Sequence, residues 1–194
     1  MNRFISAICF FALAVGAGRL AAQVNPYKDG TPGVTGHRSE VLALVIVQEN
    51  EFIRLAEAMP ADKYTWRPSA GVRSVAEVFL HVCGANYNMY KLVGVPIPAG
   101  LDVHGVEQST TDKVKIIAML KESYAHAKKA ITDTPDADLE KTQDWRGGKI
   151  TELGVLMYIV PHIGEHLGQA IAYARVLGVV PPWSDDAPKK PAEK

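Results

Sequence analysis

From Leu153 to Gly178 the chain reads LGVLMYIVPHIGEHLGQAIAYARVLG, and its only charges are Glu165 and Arg175. An apolar stretch this long, stopped by Pro181 and Pro182, constrains the fold more than any other feature of the sequence. At about 100° per residue, Leu153, Leu156, Val160, Ile163, Leu167 and Ile171 line one helical face, and Val155, Ile159, Tyr173 and Leu177 a second. A helix apolar all round belongs inside a core, so other elements are expected to surround it. Pro161 lacks an amide hydrogen, leaves the Met157 carbonyl without its partner and predicts a kink. Gly164 and Gly168 would let neighbouring backbone come close.

The second face also holds His162 and His166. Residues four apart on a helix have Cβ atoms roughly 5 to 6 Å apart, a span that two imidazoles can close onto one metal ion. Burial favours the neutral form that binds metal. Such pairs also arise by chance in packed helices, so the pair alone marks a candidate and further ligands must come from elsewhere.

A chain of 194 residues with 47% hydrophobic residues supports one core and is short for two. Residues 1–23 combine Arg3, an apolar run from Phe4 to Val15 and a small-residue end. That is the pattern of a secretory signal peptide, too short for a membrane span. The expectation is an exported protein, periplasmic or extracellular, with no membrane span after processing near Ala22 or Gln23. Removal takes away Arg3 and Arg19 and no acid, so 21 basic and 21 acidic residues become 19 and 21. A near-neutral chain without a basic patch gives no support to nucleic-acid binding. Cys9 leaves with the signal segment, so Cys83 has no partner for an intrachain disulfide.

Val24 to Gly36 is rich in Gly, Pro, Asn and Thr and reads as an extended lead-in. A first helix is expected from about His37 to Met59, with Val41, Leu42, Val45, Phe52, Leu55, Ala56 and Met59 inward. Lys63 to Arg73 is a linker that Trp66 can anchor. Ser74 with Glu77 forms a capping box, opening a second helix from Val75 to about Val93. Val75, Val78, Phe79, Val82, Asn86 and Met89 face inward there, and His81 falls at the edge of that stripe. Taken alone, His81 reads as a core histidine bonded to a carbonyl. Cys83 lies about 200° around the helix from His81, so it reads as a buried structural thiol.

Val95 to Gln108 holds two prolines and two glycines and is expected to be an irregular connection, with His104 solvated within it. Ser109 and Asp112 open a third helix with Val114, Ile117, Leu120, Tyr124, Ala127 and Ile131 inward, and His126 on its polar face. Asp144 to Lys149 leads to the fourth helix, entered at Thr151. No convincing strand pattern, repeat or second domain stands out. The reading is an all-α four-helix bundle spanning residues 24–184, with a long crossover between helices two and three and a disordered tail at 185–194.

The order of Trp66-Arg67-Pro68, Ser74-Val75-Ala76-Glu77 leading to His81, His162-x-x-x-His166-x-Gly168-Gln169, and Arg175 with Gly178 and Pro181-Pro182 resembles the DinB/YfiT-like superfamily of metal-binding four-helix bundles. The resemblance runs from the first helix to the double proline. It implies that His81, His162 and His166 bind one divalent ion, and it implies the long crossover. Three imidazoles leave a coordination position open, as in catalytic zinc sites. Zinc or nickel are the first expectations, with iron or manganese also compatible with an imidazole set. Gln169 and Glu165 are candidates for supporting the ligands from behind, although Glu165 lies about 60° from His162 and 100° from His166. The sequence has no H-E-x-x-H, no di-iron E-x-x-H and no C-x-x-C-H.

Two functional readings remain open. One is a metal-dependent hydrolase or thiol S-transferase acting on a small molecule, with the ion supplying a nucleophile near neutral pH. The other is a non-enzymatic secreted bundle that binds metal or a partner. A homodimer is compatible with either. The N-terminal pattern generates one direct expectation: intact-mass measurement on protein from its native host should give a chain beginning near Val24. Recovery of the full-length chain from the cytoplasm would overturn it.

Overall fold

The computed structural model describes residues 31, 33–184 and 186. The expected signal segment with Cys9, and nearly all of the 185–194 tail, lie outside the described residues. Four long helices account for most of the described chain: α1 (Gly36–Ala58), α2 (Val75–Tyr90), α3 (Lys113–Asp133) and α4 (Glu152–Val176). Helix α1 packs on α3 and α4, and α2 packs on the same two helices. Among the described residues, no helix is long and apolar enough to cross a membrane.

The helix starts follow the capping chemistry of the sequence. At α2 the Glu77 amide donates to Ser74 Oγ at 3.2 Å, and the Ser74 amide donates to Glu77 Oε2 at 2.6 Å. This capping box fixes the first turn of the helix that carries His81. The cap of α3 is Asp112, whose Oδ1 accepts from the Lys115 amide at 2.9 Å. Ser109 instead donates to the Val106 carbonyl. Thr151 caps α4 by accepting from the Gly154 amide at 3.0 Å.

One shared core draws on all four helices, with Phe52, Phe79, Tyr124, Leu120, Leu156 and Ile163 fully buried. Phe52 meets the Phe79 ring edge-on at 6.0 Å between centroids and Tyr124 at 6.5 Å. Two inward assignments change. Val114 is 77% exposed while Ile116 is fully buried, because the stripe on α3 begins at Ile116 and Val114 lies about 200° away from it. Helix α4 is not surrounded, since Met157 and Val176 are exposed and only one face, from Val155 to Ala174, is buried. The helix runs unbroken through Pro161. Gly164 makes room for Gln48, whose Nε2 donates to the Val160 carbonyl at 2.9 Å, whereas none of the described residues approaches Gly168.

A short antiparallel hairpin, absent from the sequence reading, precedes α4. Strands β1 (Thr142–Trp145) and β2 (Gly148–Thr151) pair with Trp145 opposite Gly148. The two-residue loop has φ of 47° at Arg146 and 83° at Gly147, the left-handed pair that matches strand twist in such hairpins. Arg146 stacks its guanidinium over the Trp145 and Tyr158 rings, at 5.1 and 5.5 Å from their centroids, which offsets its strained backbone. Because Phe52 is fully buried between two aromatic neighbours, Phe52→Ala should destabilise the fold by about 3–5 kcal/mol in urea unfolding. A loss under 1 kcal/mol would mean that this part of the core is less well packed than described.

Candidate metal centre

Helix α2 brings His81 up to the face of α4 that carries His162 and His166. One ligand nitrogen from each ring lies within 4.8 Å of the others. The ring centroids are 4.5 to 5.1 Å apart, and His81 Nε2 stands 3.1 Å from His162 Nε2. Two nitrogens bound to one zinc ion in tetrahedral geometry are separated by roughly 3.3 Å, given Zn–N distances of about 2.0–2.1 Å. The pair therefore needs only a small opening to share an ion. The donor set and its spacing fit a divalent metal.

The rings are held from behind in different ways. His166 Nδ1 lies 2.9 Å from Gln169 Oε1, and Gln169 Nε2 donates to the Tyr173 hydroxyl at 2.9 Å. The amide oxygen can only accept, so Nδ1 of His166 carries the hydrogen and Nε2 is bare. Tyr173 is fixed in turn against Trp66, edge-on at 5.4 Å. Behind His81 stands Glu107, which bonds Nδ1 through Oε1. Arg73 grips the same carboxylate, from Nε to Oε2 at 2.8 Å and from the terminal nitrogen to Oε1 at 3.2 Å. His162 Nδ1 is buried without a hydrogen-bond partner among the described residues.

Of the sequence candidates, His81, His162, His166 and Gln169 come together, while Glu165 is exposed and makes no hydrogen bond to these rings. His104 is exposed in the connection and His37 is exposed on α1, both away from the cluster. His126, read as solvated, is half-buried against Tyr87 at 4.9 Å, and burial lowers its pKa. Its helix face turns toward α2 and not toward water. Glu107 and Arg73 were missed. Both lie in irregular segments, where no periodicity tells which way a side chain points.

A sequence model described as the DinB superfamily matches residues 44–170, well over half of the chain. The chain belongs to the DinB superfamily. Solved DinB-like structures share its fold. A DinB-like protein, YjoA, from Bacillus subtilis aligns with a TM-score of 0.59 at 17% identity, covering 77% of this chain and 95% of that one. A DinB-like protein from Bacillus cereus ATCC 10987 aligns at 0.61 and 17% identity, covering 71% and 90%. The comparison with curated proteins finds no match.

Electrostatics in this DinB-superfamily site favour the neutral form of His162 and His166. Burial, then the neighbouring His166 and His81 rings and Arg73, pulls His162 down to about 4. Burial likewise lowers His166, against a smaller upward pull from Gln169. Burial alone would raise the Glu107 carboxyl, but its bonds from Arg73 and His81 outweigh this and hold it below the usual carboxylate range. Glu107 is therefore ionised and can only accept, which places a hydrogen on His81 Nδ1, so that in the neutral ring the bare nitrogen is Nε2.

In the unfolded chain His162 titrates near 6.5, so between that value and about 4 the unfolded state binds more protons. Stability contributed by the neutral ring is complete above about pH 6.5 and is lost as pH falls toward 4. Urea midpoints of metal-free protein should drop over this window, and the drop should be shallower in His162→Gln. Equal slopes for the two proteins would refute a depressed His162.

Proposed function

We propose that this DinB-superfamily chain binds one divalent ion through His81, His162 and His166 and serves as a metal-dependent enzyme on a small molecule. The observation that carries the reading is the convergence of three imidazole nitrogens within 4.8 Å, two of them bared by hydrogen bonds at the opposite ring nitrogen. A bound ion supplies Lewis acidity near neutral pH, which suits a hydrolase or a thiol S-transferase. Zinc or nickel fits the imidazole set best, with iron or manganese next.

The chain's own groups prepare the site. Gln169 and Glu107 fix two ring orientations, and Arg73 holds the Glu107 carboxylate in place behind His81. Cys83 is fully buried and its thiol is pushed up to about 12 by burial, so it is not the nucleophile. The wider reading is an exported protein, periplasmic or extracellular, with residues 1–23 removed and residues 24–184 forming a four-helix bundle. The segment between α2 and α3 is its crossover, and a homodimer is compatible with this reading.

A non-enzymatic secreted metal-binding protein is the second reading. It is favoured by one observation: Glu107 is held by Arg73 and His81 and Glu165 faces water, so neither is a free base at the site.

Elemental analysis of the processed protein should find one divalent ion per chain. Alanine at His81, His162 or His166 should lower metal affinity at least tenfold, while His126→Ala should leave it unchanged. Full stoichiometry in all three single variants would overturn the site. In cobalt-loaded protein, azide or a small thiol should change the visible spectrum, whereas indifference to both would favour the non-enzymatic reading.

A further inference from the structure

The connection after α2 makes one structured return to that helix, a 3-10 turn at Val106–Gln108. Val106 is almost fully buried there and belongs to the common core. Its neighbour Glu107 lies across His81, and the two interactions are joined by Gly84, one turn beyond His81 on α2. A Cβ on Gly84 would stand 2.9 Å from the Val103 carbonyl oxygen and 2.9 Å from Val106 Cγ1. Real Cβ atoms do not approach so closely, and the backbone oxygen cannot swing away as a side chain could. Glycine at 84 thus lets the connection lie low enough on α2 for Glu107 to reach His81 Nδ1.

We propose that Glu107 is a positioning residue for the metal centre, holding His81 in the tautomer that bares Nε2 toward His162 and His166, with Arg73 and Gly84 holding Glu107 in place. This rests on the metal-binding reading above. The carboxylate has no hydrogen to give, so the contact specifies which nitrogen of His81 is protonated. A charged acceptor behind an imidazole also makes its other nitrogen a better donor to a cation. Arg73 keeps the carboxylate from turning to solvent, since it occupies both oxygens. The placement also couples the connection to the site. Metal held by His81 favours the docked state of Val103–Gln108, and by reciprocity docking favours metal.

The first test needs no metal. Nitrogen-15 NMR of the histidine rings in metal-free protein at pH 8 should show His81 with hydrogen on Nδ1. Glu107→Ala should shift it toward the Nε2–H form, and Glu107→Gln, which keeps an acceptor oxygen, should retain the original tautomer. The second test is metal affinity by competition with a chromophoric chelator. Glu107→Ala should lose 10- to 100-fold, the range for losing such a supporting contact, and Glu107→Gln should lose less. Gly84→Ala, which touches no ligand, should weaken binding in the same direction and speed amide exchange across residues 103–108.

His81 in the Nε2–H tautomer in the wild type would overturn the proposal. So would wild-type metal affinity in Glu107→Ala when His81→Ala has lost it. Absence of metal from the wild type would instead overturn the parent reading, and the tautomer measurement would still decide what Glu107 does.

Discussion

The packing of α2 against α4 is the constraint from which the site follows. Each helix buries an apolar stripe, Val78, Phe79 and Val82 on one and Val155, Ile159 and Ile163 on the other. Burying each such side chain contributes about 1.5–3 kcal/mol, so the stripes set the relative height and rotation of the two helices. Three neutral imidazoles beside one another contribute little of their own and repel if protonated. They sit beside the stripes, with His166 buried and the other two half-buried. That depth lowers the pKa of His162 and His166 and is shallow enough to admit a solute. The core imposes the geometry, and the histidines occupy its margin.

The charges around this margin are arranged in pairs. Arg73 and Glu107 neutralise one another behind His81, so the site gains a polarised support without a net buried charge. Arg38, 7% exposed, is similarly matched to Asp136 at 2.6 Å and to the Thr132 carbonyl at 2.8 Å. The second pair ties the start of α1 to the end of α3 and lies apart from the histidines. Arg38 follows the rule that a buried cation persists when its hydrogen bonds are filled, whereas Arg73 is only half-buried. Only the Arg73 pair is placed to affect the imidazoles: burial is the main cause that lowers His162 and His166, and the Arg73 charge adds a smaller pull in the same direction.

What was legible in the sequence was whatever repeats with a helical period or closes a helix end. The stripes of α1 and α2, the Ser74–Glu77 box and the Thr151 cap all stand where local chemistry places them. On the third helix the stripe from Leu120 to Ile131 also stands as read, and only its start differs, because Val114, Ile116 and Ile117 are all apolar and packing alone shows that Ile116 turns inward and Val114 outward. The hairpin escaped because Thr142–Trp145 has one large apolar residue and its turn uses Arg-Gly in place of Asn-Gly. His126 looked solvated from its sequence neighbours, yet Tyr87 of α2 covers it. Glu107 carried no signal at all. A carboxylate in an irregular segment is one of many, and its meaning comes from the tertiary approach that Gly84 allows.

The three histidines are not equivalent, and the differences follow from what backs each ring. His81 has a charged carboxylate delivered by a distant segment, and His166 has a neutral amide from its own helix one turn on. His162 Nδ1 has no hydrogen-bond partner among the described residues. Donor strength toward a cation should fall in that order, because a charged acceptor draws the ring hydrogen more strongly than an amide does. Orientation should follow the same order. The His81 and His166 rings are each fixed by a hydrogen bond at Nδ1, while His162 is held by packing and by its contact with His81. A centre built this way is firm on two sides and adjustable on the third. The adjustable side belongs to the residue whose burial most strongly disfavours protonation, so His162 stays neutral without needing a partner to specify it.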